Sequence, residues 1–467
     1  MSDNALTTLE KRAAISLAAV YVMRMLGLFM VIPVIAVAAT AFDDYSPLLV
    51  GFAVGGYGLT QALLQIPFGV LSDKWGRKPV IYLGLCLFCA GSLLAGFADS
   101  MLVLTIGRIL QGSGAIAGAI MALASDVTRE SQRTKVMAII GVSIGFSFYI
   151  ALLTGPLLAA SIGLNGIFLM TAALSLMCIA AVKWGVILVE QSTSVNTLQA
   201  KATGDSLPKL EHIGKLFSHS ALWRLNVSVL IVHLLITCFF VQIPVMLLDI
   251  KVPLEEHYIL YALVLFVSIL VLLVFMQLSK SLNVSLLFRL ALLTIAVAFF
   301  MLIVAEPSYW LISLAGILFF GGFNFMEAKM PAMVSSISPA GQKGSAMGIY
   351  ASHQFFGAFL GGVLSGLLNS YFEVKTSFIM CLVLIFICAL ITKGLASVER
   401  VKRVTLTIDD NQNTDDILAI KAQLAVLPGV KEVTADAVAS AFYLKVDAKQ
   451  FSLPQAKALI AAEQEAE

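Results

Sequence analysis

The sequence predicts an all-α membrane bundle of twelve transmembrane helices in two six-helix halves, with a small α+β domain appended at the C-terminus. Three observations carry this. Hydrophobic residues make up 59% of the chain and charged residues only 12%, whereas a soluble protein carries about a quarter charged residues. Apolar stretches recur along the chain, each near the ~20 residues a helix needs to cross a bilayer. From residue 400 the composition reverses, and eighteen of the last 68 residues are charged.

Backbone groups in lipid must be satisfied within the segment, so the spans are helices. A β-barrel would alternate in segments of about ten residues. The spans fall near 13–40, 47–71, 77–98, 101–126, 135–161 and 165–188. After a polar linker they resume near 220–248, 256–279, 283–304, 308–334, 343–369 and 373–396. The chain thus divides into a first half (1–188), a linker (189–219), a second half (220–398) and a terminal domain (399–467). The linker contains "QSTSVNTLQAKATGDSLPKLEH", which is too polar to span.

Loop charges set the orientation. One side carries Lys11, Arg12, Lys74, Arg77, Lys78, Arg129, Arg133, Lys135, Lys280 and Lys343. The other carries Lys251 and Lys375 with Asp43, Asp44, Asp99 and Glu306. The basic side is cytoplasmic, which places both termini, the linker and the terminal domain there. A formal net charge of +2 gives no basic field for nucleic acid. The six cysteines lie in apolar helices, so no disulfide framework is expected. "CLFC" at 86–89 reads as packing within a span. The polar start and long first span lack the form of a cleavable signal peptide.

The halves read as repeats. A shift of 207 positions sets Phe68, Leu71 and Ser72 on Phe275, Leu278 and Ser279, Gly141 on Gly348 and Gly155 on Gly362. Duplicated halves are the plan of many secondary transporters, with the site at their interface. In the tail, "VTLTI" alternates as a strand, 415–427 has helical spacing, "VKEVTA" and "AFYLKV" read as strands, and Pro454 opens a last helix. The order β-α-β-β-α predicts a ferredoxin-like sandwich.

Between the second and third spans lies "GVLSDKWGRKPV". Gly69 packs closely and Gly76 permits a tight reversal. Asp73 then stands beside Arg77 and Lys78, and Asp126, at the same end of the fourth span, approaches them. Such an Asp–Arg–Asp group can latch the inner rim, with Asp73 facing the helix start near Gly341–Gly344 in the other half. The alternative is that these charges only fix topology.

This loop resembles the signature of the major facilitator superfamily, through Gly69, Leu71, Asp73, Gly76, Arg77 and Lys78. "LTIGRILQGSGAI" is similar to the family's fourth-helix motif, through Arg108, Gln111, Gly112 and Gly114. "GPLL" at 155–158 resembles the fifth-helix antiporter motif through Gly155 and Pro156, with Ala159 and Ala160 in place of its usual glycines. The resemblance covers residues 1 to about 398. It implies a transporter of the bacterial inner membrane whose loop motif steadies the outward-facing state by charge contacts across the halves.

Ionisable groups inside the bilayer are functional candidates, since each costs at least about 2.5 kcal/mol to insert. Arg24, Arg108 with Gln111, His233, Glu327 with Asn324, His353 with Gln354, and Gln61 all fall within spans. For each, a substrate or proton pathway stands beside a structural hydrogen-bond network. His233 and His353 titrate near neutrality, which suits proton coupling.

The resulting expectation is a monomeric secondary transporter, with no cofactor, that exports a small drug-like solute against protons by alternating access. No GxxxxGK[ST] loop points to ATP, and no nucleophile–base group points to an enzyme. A second reading is a membrane sensor whose tail binds a cytoplasmic ligand or partner. A third is a metal exporter, since "LPGVKEV" resembles the entry to the second strand of heavy-metal-associated domains. The first tail loop, "DDNQNT", has no cysteine for thiolate ligation, and no metal site is expected.

Overall fold

The computed structural model describes residues 6–186, 214, 216–339, 342–393, 395, 401–407, 414–436, 441–447 and 450–464. Most of the linker, Gly341 and the loop bearing Asp409 and Asp410 lie outside the described residues. Contacts divide the chain into two compact units. The first comprises Met1–Val189, Arg224–Met330 and Gly348–Gly394. The second comprises Glu190–Trp223, Pro331–Met347 and Leu395–Glu467.

Among the described residues, ten helices are long and apolar enough to cross a membrane. Helix α1 (Thr8–Phe29) opens on a capping box. Thr7 Oγ1 accepts from the Glu10 N–H at 3.2 Å and Glu10 Oε2 accepts from the Thr7 N–H at 2.7 Å. These bonds satisfy donors that a helix start leaves free, which is why the helix begins before the apolar run. After a kink, α2 (Ile32–Ala38) carries the first span onward, with a proline in its first turn. Helix α3 (Pro47–Trp75) starts at Ser46, whose hydroxyl accepts from the Leu49 N–H, and stops at Gly76. At φ 90° and ψ 157°, Gly76 takes a backbone conformation that costs a side-chain-bearing residue far more. The chain reverses there into α4 (Arg77–Gly96).

The fourth span departs from expectation. The sequence reads as one helix over 101–126, but the structure breaks it into α5 (Met101–Gly112) and α6 (Ala117–Asp126). Side chains of α1 reach carbonyls at the break and at the start of α6. Arg24 donates to the Gly114 oxygen at 2.9 Å and the Tyr21 hydroxyl donates to the Ala117 oxygen at 2.7 Å. A break at membrane depth is tolerated because neighbouring side chains satisfy it. Helix α7 (Glu130–Gly185) runs through the fifth and sixth spans and turns at Gly163, whose φ is 70°.

The second half contains α8 (Ser220–Asp249), α9 (His257–Leu278), α10 (Val284–Val304), α11 (Tyr309–Ile337), α12 (Lys343–Tyr371) and α13 (Val374–Thr392). The halves meet closely at the end remote from Gly76, along α3 and α12. A Cβ on Gly55 would stand 2.7 Å from the Phe359 oxygen, and one on Gly362 would stand 2.5 Å from the Gly51 oxygen. Glycine lets these two backbones touch.

In the second unit, β1 (Val401–Thr407), α14 (Thr414–Val426), β2 (Val430–Asp436), β3 (Ala441–Asp447) and α15 (Leu453–Gln464) follow in chain order. The strands form an antiparallel sheet ordered β1-β3-β2. Leu406, Phe442, Leu444 and Val446 alternate onto one face and pack against Ile420, Leu424, Ala456 and Ile460 of the helices.

Candidate functional site

Three groups of polar side chains in the first unit contain the residues singled out in the sequence. The first lies at the Gly76 turn. Arg77 Nε donates to Asp126 Oδ2 at 3.0 Å, and its Nη1 donates to Asp73 Oδ1 at 2.5 Å and to the Ser72 hydroxyl at 2.9 Å. One guanidinium thus joins the ends of α3, α4 and α6. Lys78 reaches the Val186 carbonyl at 2.5 Å, and the Ser72 hydroxyl donates back to Gly69. The side chains of Asp73 and Asp126 are 37% and 44% exposed, so solvent screens the pairing. The contacts named here all lie within the first half.

The second group is enclosed. Arg24 and Arg108 are each 1% exposed. Besides Gly114, Arg24 Nη2 donates to the Tyr57 hydroxyl at 2.9 Å and to Gln61 Oε1 at 3.0 Å. Gln61 passes a bond to Gln65. Arg108 donates to the Ala53 carbonyl at 3.0 Å and to Gln111, whose amide donates to Ser92 at 2.8 Å. The Arg108 guanidinium carbon also stands 5.2 Å from the Tyr57 ring centroid, a favourable cation–π arrangement. Tyr57 therefore meets both arginines. Close packing surrounds them: a Cβ on Gly112 would collide with the Tyr57 carbonyl, and one on Gly155 would stand 2.5 Å from the Met30 oxygen at the α1–α2 kink. Pro156 follows within α7.

The third group lies in the second half. His233 on α8, Glu327 on α11 and Gln354 on α12 converge. The Gln354 amide nitrogen is 2.8 Å from His233 Nε2 and 3.1 Å from Glu327 Oε1, and His233 Nε2 is 3.7 Å from Glu327 Oε2. His233 Nδ1 lies 3.1 Å from the Val229 oxygen. A carbonyl only accepts, so Nδ1 carries the hydrogen and Nε2 is left to accept from Gln354. Gln354 thus donates to both and holds the imidazole and the carboxylate side by side. His353 instead bonds the Ile349 carbonyl of its own helix at 2.8 Å.

Asn324, one turn before Glu327, donates to the Tyr149 hydroxyl at 3.0 Å and to Ser268 at 3.3 Å. Tyr149 belongs to the first half. Sequence reasoning passed over it, along with Tyr21, Tyr57 and Ser92, because an aromatic or a serine in an apolar helix carries no rarity signal. In the sequence, Asp44 stands out only as a loop charge. Its carboxylate accepts from the Met101 and Leu102 N–H groups at 2.7 and 3.0 Å, capping α5. Those bonds hold its pKa below the usual carboxylate range.

The Major Facilitator Superfamily pattern matches residues 17–326 and 258–414. The chain belongs to the major facilitator superfamily. It is 37% identical over 462 residues to "Inner membrane transport protein YajR" of Escherichia coli (strain K12), covering 98% of this chain and 99% of that one. It is 33% identical over 384 residues to an "Uncharacterized transporter" of Buchnera aphidicola subsp. Baizongia pistaciae, covering 80% and 95%. Its fold is similar to the crystal structure of a D-xylose-proton symporter, with a TM-score of 0.66 at 14% identity, over 82% of this chain and 98% of that one. As a major facilitator protein the chain is a multi-pass membrane transporter, and its relatives are transporters rather than enzymes.

Proposed function

We propose that the protein exports a small amphipathic solute in exchange for protons, by alternating access across the bacterial inner membrane. The observation that carries this is the Glu327–His233–Gln354 cluster, an acid and a base hydrogen-bonded through one amide inside the bundle. A carboxylate within a span is costly to insert, which makes it a functional candidate by default. One charge crossing 100 mV supplies about 2.3 kcal/mol, enough to drive a solute uphill without ATP. Asn324 and His353 flank this pathway. Arg24, Gln61, Arg108 and Gln111 frame it by holding the broken fourth span, with Gly112, Gly155 and Pro156 packed around them.

In this reading the Asp73–Arg77–Asp126 group, with Gly69, Gly76 and Lys78, is the first half's part of an inner-rim latch. Twelve spans follow if α7 counts as two at Gly163 and α12 is added to the ten apolar helices. The chain then divides into halves over 1–188 and 220–398, a cytoplasmic linker over 189–219 and a ferredoxin-like domain over 399–467. It works as a monomer with both termini cytoplasmic, and takes no nucleic-acid partner.

The test uses proteoliposomes carrying a proton gradient, probed with a panel of amphipathic compounds. A compound that collapses the gradient through the wild type and not through Glu327→Gln supports proton exchange. The reading fails if no compound does so, or if Glu327→Gln matches the wild type. A sensor role is the second reading, favoured by the separate packing of the tail's sheet and helices. Deleting residues 400–467 separates the two: a sensor loses a partner's response, whereas an exporter keeps its transport.

A further inference from the structure

We infer that Tyr149 is a positioning residue that ties the acid–base cluster of the second half to the first half, so that the halves cannot part at this level without breaking its bond. The inference deepens the transport reading above and rests on it for the role of Glu327. Tyr149 and its neighbour Phe148 project from α7 into the second half. Phe148 packs edge-on against Phe240, with centroids 6.5 Å apart, and tilts against Phe320 at 6.3 Å. Apolar contacts of this kind tolerate sliding. The hydrogen bond does not: Asn324 Nδ2 reaches the Tyr149 hydroxyl at 3.0 Å while also donating to Ser268 on α9 at 3.3 Å.

Asn324 and Glu327 are three residues apart on α11, so they share one helix face. A shift of α11 that accompanies a change at Glu327 is therefore felt one turn away at Asn324, and through it at Tyr149. A second path leaves the same cluster. Gln354, which bridges His233 and Glu327, precedes Phe355, whose ring meets the Tyr57 ring edge-on at 6.4 Å across the halves. The Tyr149 path is the directional one. A hydrogen bond holds only over a narrow range of distance and angle, so it breaks where ring contacts slide.

The experiment places spin labels at Leu49→Cys and Leu367→Cys, near the ends of α3 and α12 remote from Gly76, in full-length protein reconstituted in lipid with Cys86→Ser. Tyr149→Phe keeps the ring and removes only the hydroxyl. Tyr149→Phe and Asn324→Ala are each expected to raise the separated population about fivefold, the change that one net hydrogen bond brings. The double variant should rise no further than either single. An unchanged distance distribution in Tyr149→Phe, or additive shifts in the double variant, overturns the inference. Proton exchange by Glu327→Gln is read in a separate assay, so the tie and the proton pathway fail independently.

Discussion

Arg24 donates to the carbonyl of Gly114 at 2.9 Å, where the fourth span is unwound. The same Nη2 also serves Tyr57 and Gln61. Truncating Arg24 removes the donor shared by Gly114, Tyr57 and Gln61, and leaves the Gly114 oxygen with the Ile116 N–H alone. Arg24→Met should therefore lower thermal stability by about 1–3 kcal/mol, read as a drop in the unfolding midpoint of purified protein. Arg24→Lys, able to reach one acceptor, should fall between. Wild-type stability in Arg24→Met would mean that the break holds itself.

Glu10 takes three bonds from Arg129, through the main-chain N–H at 3.0 Å, Nε at 2.9 Å and Nη2 at 3.0 Å. Glu10 also closes the capping box with Thr7. Thr7→Ala should cost about 1 kcal/mol as a lost cap. Glu10→Gln should cost more, because it also removes the charge that faces Arg129. Equal midpoints for the two variants would contradict this order.

Asp44 predicts a pH dependence of known sign. Its folded pKa is lowered by the Met101 and Leu102 N–H groups. A depressed carboxylate adds stability above its unfolded pKa and loses it as pH falls through the folded value. Wild-type protein should therefore lose more stability than Asp44→Asn between pH 5 and the acid limit of folding. Parallel acid titrations of the two proteins would refute the cap.

Gly55 and Phe359 bring two backbones together across the halves. Gly55→Val should hold them apart, lower the unfolding midpoint by the ~1–3 kcal/mol of an overpacked contact, and slow turnover. The check is turnover alongside cysteine accessibility at Leu49→Cys. Unchanged accessibility would show that α3 and α12 close without this contact.

Much of this architecture is legible before any coordinates. The apolar length of segments such as 284–304 dictates helices, and the rarity of charge in so hydrophobic a chain singles out Asp73, Arg77 and Asp126, which the fold does bring together. The break at Gly114 is not legible. Gly112, Ser113 and Gly114 weaken the helix there without a proline to end it, and the side chains that bond the gap, Arg24 and Tyr21, come some ninety residues earlier. The same distance hides the Asp44 cap. His233, Glu327 and Gln354 are each visible as polar residues in greasy helices, but their convergence depends on how α8, α11 and α12 pack.

In the proposed transport cycle, the glycine contact between α3 and α12 can close only in an all-or-none way. Main chain resting on main chain has no rotamers to adjust, so the barrier there is shut or parted, with no graded fit to a passing molecule. Discrimination among cargoes must then be made deeper in the bundle, and changes in cargo range should arise from side chains there while the stripe stays small.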